Sequence, residues 1–289
     1  MRLLFVIPHY FNDTERQRSR PDLRGKHGSV TSPIDVRVDA IRRTVMSLHQ
    51  TFGHSQAIIR HADRRTVAAN EAVRHEVHLV IVTTSRAHLL DRAELPNGLY
   101  HHCSIDGDPT RLGFHCQDTL RDRWGNYDYY GYLEDDLSIA DAWFFEKLRW
   151  FNEHVGDDHL LMPNRYELAS GLAYDKCYLD GDLSPRVTEP FQDIADTPQL
   201  KSTVLGRPVR FIRPLNPHSG CFFLNATQMK NWIDMPHFGS RDTSFVGPLE
   251  SAATLGVMKT FKIYKPAPEN ASFLEIEHHG NRFLALIRK

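Results

Sequence analysis

Apolar and polar positions change period along the chain, and each change marks an element. Residues 3–7 are an unbroken apolar run closed by Pro8, the pattern of a strand buried on both faces of a parallel sheet. A polar, arginine-rich stretch follows from Asn12 to about Ser32, with Gly25 and Gly28 inside it. So long a segment within a compact domain is usually functional or disordered. Over residues 36–52 the positions Val38, Ile41, Val45 and Leu48 recur at helical spacing, which predicts a helix packed on the sheet. VHLVIVT at 77–83 reads as the next strand, followed by a helical stretch near 86–93 and a Pro96-Asn97-Gly98 turn. Residues 99–104 predict a short strand, 112–124 a helix ended by Gly125-Asn126, and 129–133 a strand. Residues 140–154 follow as an amphipathic helix with Trp143, Phe144, Leu148 and Phe151 on its stripe.

Strand and helix thus alternate through the first half, which favours an α/β fold with a mostly parallel, Rossmann-like sheet and helices on both faces. The second half is less regular. Residues 159–163, 209–212 and 221–224 predict strands, 180–201 a loop, and 226–232 a helix. Two closely fused halves, 1–155 and 156–289, fit this organisation as one domain.

Composition narrows the function classes. With 289 residues, 41% hydrophobic and 25% charged, the chain can bury a core without disulfides or structural metal. A formal net charge of −1 with interspersed signs argues against a nucleic-acid partner, which demands a basic face. Cys103, Cys116, Cys177 and Cys221 form no CxxC pair, and no secretory signal is evident, so reduced thiols in a cytoplasmic protein are expected. The first apolar run is too short to span a membrane, which leaves peripheral membrane contact open.

The most informative segment is Tyr129-Tyr130-Gly131-Tyr132-Leu133-Glu134-Asp135-Asp136-Leu137. Ligands of open α/β sheets sit beyond the carboxyl ends of strands, where this triplet falls. Three adjacent like charges repel, and a bound cation relieves them. Oxygen ligands suit Mg²⁺ or Mn²⁺, which in turn neutralise a diphosphate. An acidic turn capping the next helix, with Asp136 or Ser138 as N-cap, is the plainer alternative.

YLEDDLSIADAWFF resembles the metal-binding segment of GT-A fold glycosyltransferases, whose DxD motif ends a strand in this way, with a local likeness to Golgi N-acetylglucosaminyltransferases. The resemblance implies a GT-A sheet with a smaller, mixed acceptor-side half. It implies that Asp136 coordinates the metal, Mn²⁺ or Mg²⁺, while Glu134 and Asp135 contact the ribose or metal-bound water. It further implies a nucleotide-sugar donor (a UDP-sugar first), a glycan or glycoconjugate acceptor, and a place in polysaccharide biosynthesis.

Other segments join this resemblance. Pro8-His9-Tyr10-Phe11-Asn12 is similar to the first strand and loop that cradle the nucleotide base, with Pro8, His9, Tyr10 and Asn12 as candidates; a plain strand exit explains it as well. Asp118 and Arg121, on the helix after Gly113, fall where the donor is contacted, Arg121 through a phosphate; an exposed helix face accounts for both equally. His218, Ser219 and Gly220 resemble the SGxFFL segment beside the acceptor, where glycine permits close approach. Inverting members use an acidic base in the region of residues 245–253; Glu250 is the first choice and Asp242 the second, although a first-turn acid is common in any helix. Finally His278 or His279 could return to the metal, and Arg282 could neutralise the diphosphate; with 17 histidines a chance pair is unsurprising.

The expected activity is therefore metal-dependent transfer of a sugar from a nucleotide diphosphate sugar to a hydroxyl. A metal-dependent phosphohydrolase or nucleotidyltransferase is one alternative, although PHYFN replaces the Gly-rich loop usual in the latter. A non-catalytic glycan-binding relative is the other.

Overall fold

The computed structural model describes residues 1–12, 32–169 and 174–286, so most of the arginine-rich stretch lies outside the described residues. Strand β1 (Arg2–Pro8) is the centre of the fold and is buried from Leu3 onward. Its alternation sends Leu3, Phe5 and Ile7 to one face and Leu4 and Val6 to the other, each into its own apolar cluster. On the first face lie helices α1 (Ile34–Phe52) and, later in the chain, the aromatic helix described below.

After α1 comes an exposed two-stranded ribbon, β2 (Ala57–Arg60) and β3 (Arg65–Ala68), which the hydrophobic pattern does not announce. Strand β4 (Glu76–Thr84) then pairs parallel with β1, a short helix α2 (Leu90–Ala93) follows, and β5 (His101–Ile105) pairs parallel with β4. Helix α3 (Leu112–Asp122) covers the second face through Leu112, Cys116 and Leu120. Strand β6 (Tyr129–Leu133) returns to the opposite flank of β1, again parallel. Gly131 sits on β6 because a side chain there would meet the rings of Phe223 and Phe5.

Two-residue strand β7 (Leu137–Ser138) follows the triplet, then α4 (Phe144–Val155). The apolar stripe of α4 is Phe144, Phe145, Leu148 and Phe151. Trp143, expected on that stripe, sits one residue before the helix and is 58% exposed. Strands β8 (His159–Leu161), β9 (Asn164–Leu168) and β10 (Lys176–Tyr178) come next. The stretch expected to be a loop contains the turn α5 (Pro185–Thr188) and the start of β11 (Gln199–Val204), which hairpins with β12 (Arg207–Ile212).

Strand β13 (Cys221–Asn225) leads into α6 (Ala226–Ile233) through a capping box between Asn225 and Gln228. Helical turns α7 (Pro248–Glu250) and α8 (Gly256–Thr260) flank a π-helical stretch, Ser251–Leu255. Strands β14 (Lys262–Pro266) and β15 (Glu275–His278) complete the order.

The main sheet runs β13-β6-β1-β4-β5, with β13 alone antiparallel. The fold class is thus α/β with a mostly parallel sheet packed on both faces. Since β4 and β6 leave β1 on opposite sides, the strand order reverses between β1 and β6. A crevice opens at their carboxyl ends, where ligands of such sheets bind. A second sheet runs β10-β9-β15-β7 and a third β11-β12-β14-β8; β7 joins strands from beyond residue 155, and β13 from beyond it joins the main sheet. Among the described residues no helix is long and apolar enough to cross a membrane.

Candidate active site

His9 leaves β1 and Glu134-Asp135-Asp136 leaves β6, so neighbouring strands deliver a buried histidine and three carboxylates to the crevice. The backbone N–H of Leu89 donates to His9 Nε2 at 3.1 Å, which places the ring proton on Nδ1. From there it donates to Asp135 Oδ2 at 2.5 Å. Asp135 Oδ1 accepts from Arg37 Nη2 at 2.5 Å, and its carbonyl from Thr44 at 3.1 Å. Asp135 is therefore an anchor within the protein.

Arg37 also donates from Nη1 to Asp136 Oδ2 at 3.1 Å. Burial opposes its charge, but Asp135 and Asp136 outweigh that cost and raise its pKa. Pattern reading missed Arg37 because it treated the buried face of α1 as uniformly apolar. The face is Arg37, Ala40, Ile41, Thr44, Val45, Leu48 and Phe52, while Val36 is exposed.

Strand β15 brings the late histidines to the triplet by pairing antiparallel with β7, His278 opposite Leu137. Glu167, on the neighbouring β9, accepts from His278 Nδ1 at 3.0 Å and from the N–H groups of Phe283 and Leu284 at 3.2 and 2.9 Å. Burial would raise the Glu167 pKa, but these hydrogen bonds prevail and lower it. In the neutral ring the lone pair of His278 then lies on Nε2, 3.8 Å from Asp136 Oδ2. His279 donates its backbone N–H to the Asp136 carbonyl at 2.8 Å, its Nε2 meets Ser138 Oγ at 2.6 Å, and burial with Arg43 nearby lowers its pKa to about 4.

Glu134 faces the second half. Its backbone N–H donates to the carbonyl of Gly220 at 2.9 Å, and its carboxyl lies where a Gly220 Cβ would stand, 2.7 Å from Oε2. At φ +63° and with that neighbour, position 220 requires glycine. Burial pushes the Glu134 pKa up to about 8; Arg165 opposes the rise, and Asp136, Glu250 and Asp135 add to it. Glu250, half-buried at the end of α7, thus has its carboxylate within electrostatic reach of Glu134.

His218 Nε2 is 3.9 Å from Glu134 Oε1, while its Nδ1 meets Thr254 Oγ1 at 2.9 Å. Burial, then Arg165, holds its pKa well below the usual value. Ser219 Oγ donates to the Pro163 carbonyl at 2.7 Å and is fully buried, so it braces the segment. Beneath lies a buried ionic cluster that the sequence did not signal. Asp180 takes Arg165 through Nε and Nη2 (3.0 and 2.9 Å) and Lys265 at 2.9 Å, and Lys265 also donates to the His218 carbonyl at 2.6 Å. Burial alone would raise the Asp180 pKa; the two cations depress it.

Other expected residues lie outside this grouping. Asp118 pairs with Arg241, and Arg121 with Asp122 at 2.8 Å on the exposed side of α3. Asp242 accepts from Lys259 at 2.8 Å and from the Ser244 N–H at 2.9 Å, which hold its pKa down to about 2. Arg282 is exposed on the turn after β15. Beyond the carboxyl ends of β1 and β4 an open cavity of about 360 Å³ is lined by Phe11, Asn12, Ile34, Arg86, His88 and Arg92, among others. Pro8 ends the strand beneath it, and the Tyr10 hydroxyl lies 3.4 Å from Asn12 Nδ2.

Fold and site together define a class: an α/β protein with buried carboxylates at the switch point of a mostly parallel sheet. No family model and no curated protein matches the chain. Among solved structures it is similar to TarS 1–349 of S. aureus in complex with UDP-GlcNAc, at 10% identity and TM-score 0.45, over 100% of this chain and 62% of that one. It is also similar to GalNAc-T7 with UDP, GalNAc and Mn²⁺, at 12% identity and TM-score 0.48, over 96% of this chain and 44% of that one. A longer S. aureus TarS structure matches at 10% identity and TM-score 0.44, over 93% of this chain and 35% of that one. The chain thus spans less than two thirds of each of these neighbours.

Proposed function

We propose that this protein is a metal-dependent glycosyltransferase of GT-A type that moves a sugar from a nucleotide diphosphate donor to an acceptor hydroxyl. The observation that carries the reading is the line Glu167–His278–Asp136. A carboxylate fixes the tautomer of a histidine, and the free nitrogen of that ring faces a second carboxylate 3.8 Å away. This is the outer-sphere arrangement of metal-binding histidines. Among the described residues no group of three or more His, Cys, Asp or Glu could hold a metal. Two protein ligands completed by phosphate oxygens and water suit Mg²⁺ or Mn²⁺.

Asp136 and His278 are the residues that would hold the ion; the Nε2 of His279 is engaged by Ser138, which makes His279 the second choice. When bound, the ion supplies Lewis-acid stabilisation of the leaving diphosphate. Arg37 keeps Asp135 and Asp136 oriented, so Asp135 acts from within the protein rather than on the ribose. The cavity beside Asn12, Arg86 and Arg92 would take the nucleoside end of the donor, a UDP-sugar first. Glu250 would accept the proton of the acceptor hydroxyl, on a glycan or glycoconjugate, with His218 and Gly220 beside it. That role implies inversion at the anomeric carbon. Asp242, tied to Lys259, is the weaker base.

Titration calorimetry with UDP, with and without Mn²⁺, followed by a donor screen for released nucleoside diphosphate, tests the reading. Mn²⁺ should tighten UDP binding in the wild type and not in Asp136→Asn. Nucleotide binding indifferent to both the metal and the substitution sinks it, and release of pyrophosphate or inorganic phosphate would favour the nucleotidyltransferase or phosphohydrolase alternative.

A further inference from the structure

We infer that the β2–β3 ribbon is a docking element for an anionic lipid surface, an assignment independent of the proposed transfer reaction. Twelve consecutive residues, 57–68, are exposed, including Ile58 at 58%, Ile59 at 63% and Val67 at 40%. A two-stranded ribbon is marginal in water unless a face is covered. Its root is nonetheless fixed: Gln56 donates to the carbonyls of Gln50 and Gly53 at 3.2 and 3.0 Å, and Asn70 donates to Gln56 at 2.6 Å. The arm is held in place, and its apolar side chains stay exposed among the described residues.

Register specifies what that face offers. Ile58 stands opposite Val67 and Arg60 opposite Arg65, and the period of two puts both pairs on one face. Arg64 adds a cation at the turn. Asp63, the single acid of the ribbon, takes Arg60 at 3.1 Å. Three arginines against one aspartate make a positive arm on a chain of net charge −1.

An apolar pair next to an arginine pair matches the boundary of acyl chains and phosphate headgroups, where long cationic side chains reach back to the phosphates. A stable protein interface needs about 800 Å² from each partner, more than one face of two four-residue strands provides, whereas a bilayer imposes no shape. The ribbon also leaves the body at the amino-terminal edge of the main sheet, where Gly53 bridges His75. The carboxylate crevice lies at the opposite edge, so docking would leave it open.

Flotation with vesicles of phosphatidylcholine, alone or with phosphatidylserine, tests this. The protein should float with the anionic vesicles only and be released by about 0.5 M salt. Arg64→Glu/Arg65→Glu and Ile58→Asn/Val67→Asn should each cut partitioning roughly tenfold or more, with circular dichroism and Tm unchanged. Failure to float with anionic vesicles, or flotation of either variant equal to that of the wild type, overturns the proposal. So does a dimer that Ile58→Asn/Val67→Asn dissociates, which would give the ribbon to a second copy of the chain.

Discussion

Replacing Glu134 with glutamine isolates the titration of one buried carboxyl. The residue is 5% exposed, and its pKa rises from an ordinary 4.5 to about 8. In the unfolded chain it ionises near the lower value. Between the two the folded state binds the extra proton, so this group's contribution falls as pH rises. At about 1.4 kcal/mol per unit the full rise sets an upper bound near ~5 kcal/mol, and relaxation with water entry leaves about 2–3 kcal/mol. Glutamine keeps the size and removes the titration. Urea unfolding in EDTA at about pH 5 and about pH 8 should show the wild type losing about 2–3 kcal/mol more than the variant between those conditions. His75 and His279, whose pKa values burial lowers to about 4, strengthen folding as pH climbs through the same range. Both proteins carry them, so they cancel in the comparison. Parallel profiles for the two proteins would refute the argument.

Three further outcomes follow from the site. His278→Ala should abolish Mn²⁺-enhanced UDP binding while His279→Ala retains it, and Glu167→Gln should weaken metal affinity roughly 10–100-fold in calorimetry by freeing the imidazole. Glu250→Gln should lower kcat about 100-fold or more in a nucleotide-release assay, whereas Asp242→Asn, losing only a surface ion pair, should change it less than about twofold. Asp180→Asn should cost about 3–5 kcal/mol in urea unfolding, because Arg165 and Lys265 would remain buried without their carboxylate.

The parallel core was legible because β1, β4 and β6 are continuous apolar runs, and the helices over them keep a 3.6-residue stripe. The triplet's position was legible for the same reason, since Leu133 ends a buried strand. The charged partners were hidden. Arg37 occupies a position in the stripe of α1 where an apolar residue is the rule, and only tertiary pairing with Asp135 and Asp136 makes its burial tolerable. Lys265 and Arg165 sit on short strands too brief to show a period, and Asp180, their partner, lies outside any strand. The choice between His278 and His279 also needed three dimensions, because it depends on β15 pairing with both β7 and β9. The ribbon was missed because its alternation has no buried side.

Strand β13 has a consequence for how the protein is made. It lines the outer edge of β6 in register from Cys221 opposite Leu133 to Asn225 opposite Tyr129. Until the ribosome has released that strand, the five buried residues of β6 form a bare apolar edge, an open template for another nascent chain. A fragment ended at residue 155 would keep that edge permanently and should aggregate. Pairing over such sequence distance is slow to close, so the Glu134–Gly220 contact is acquired late. The carboxylate crevice therefore stays incomplete through most of synthesis.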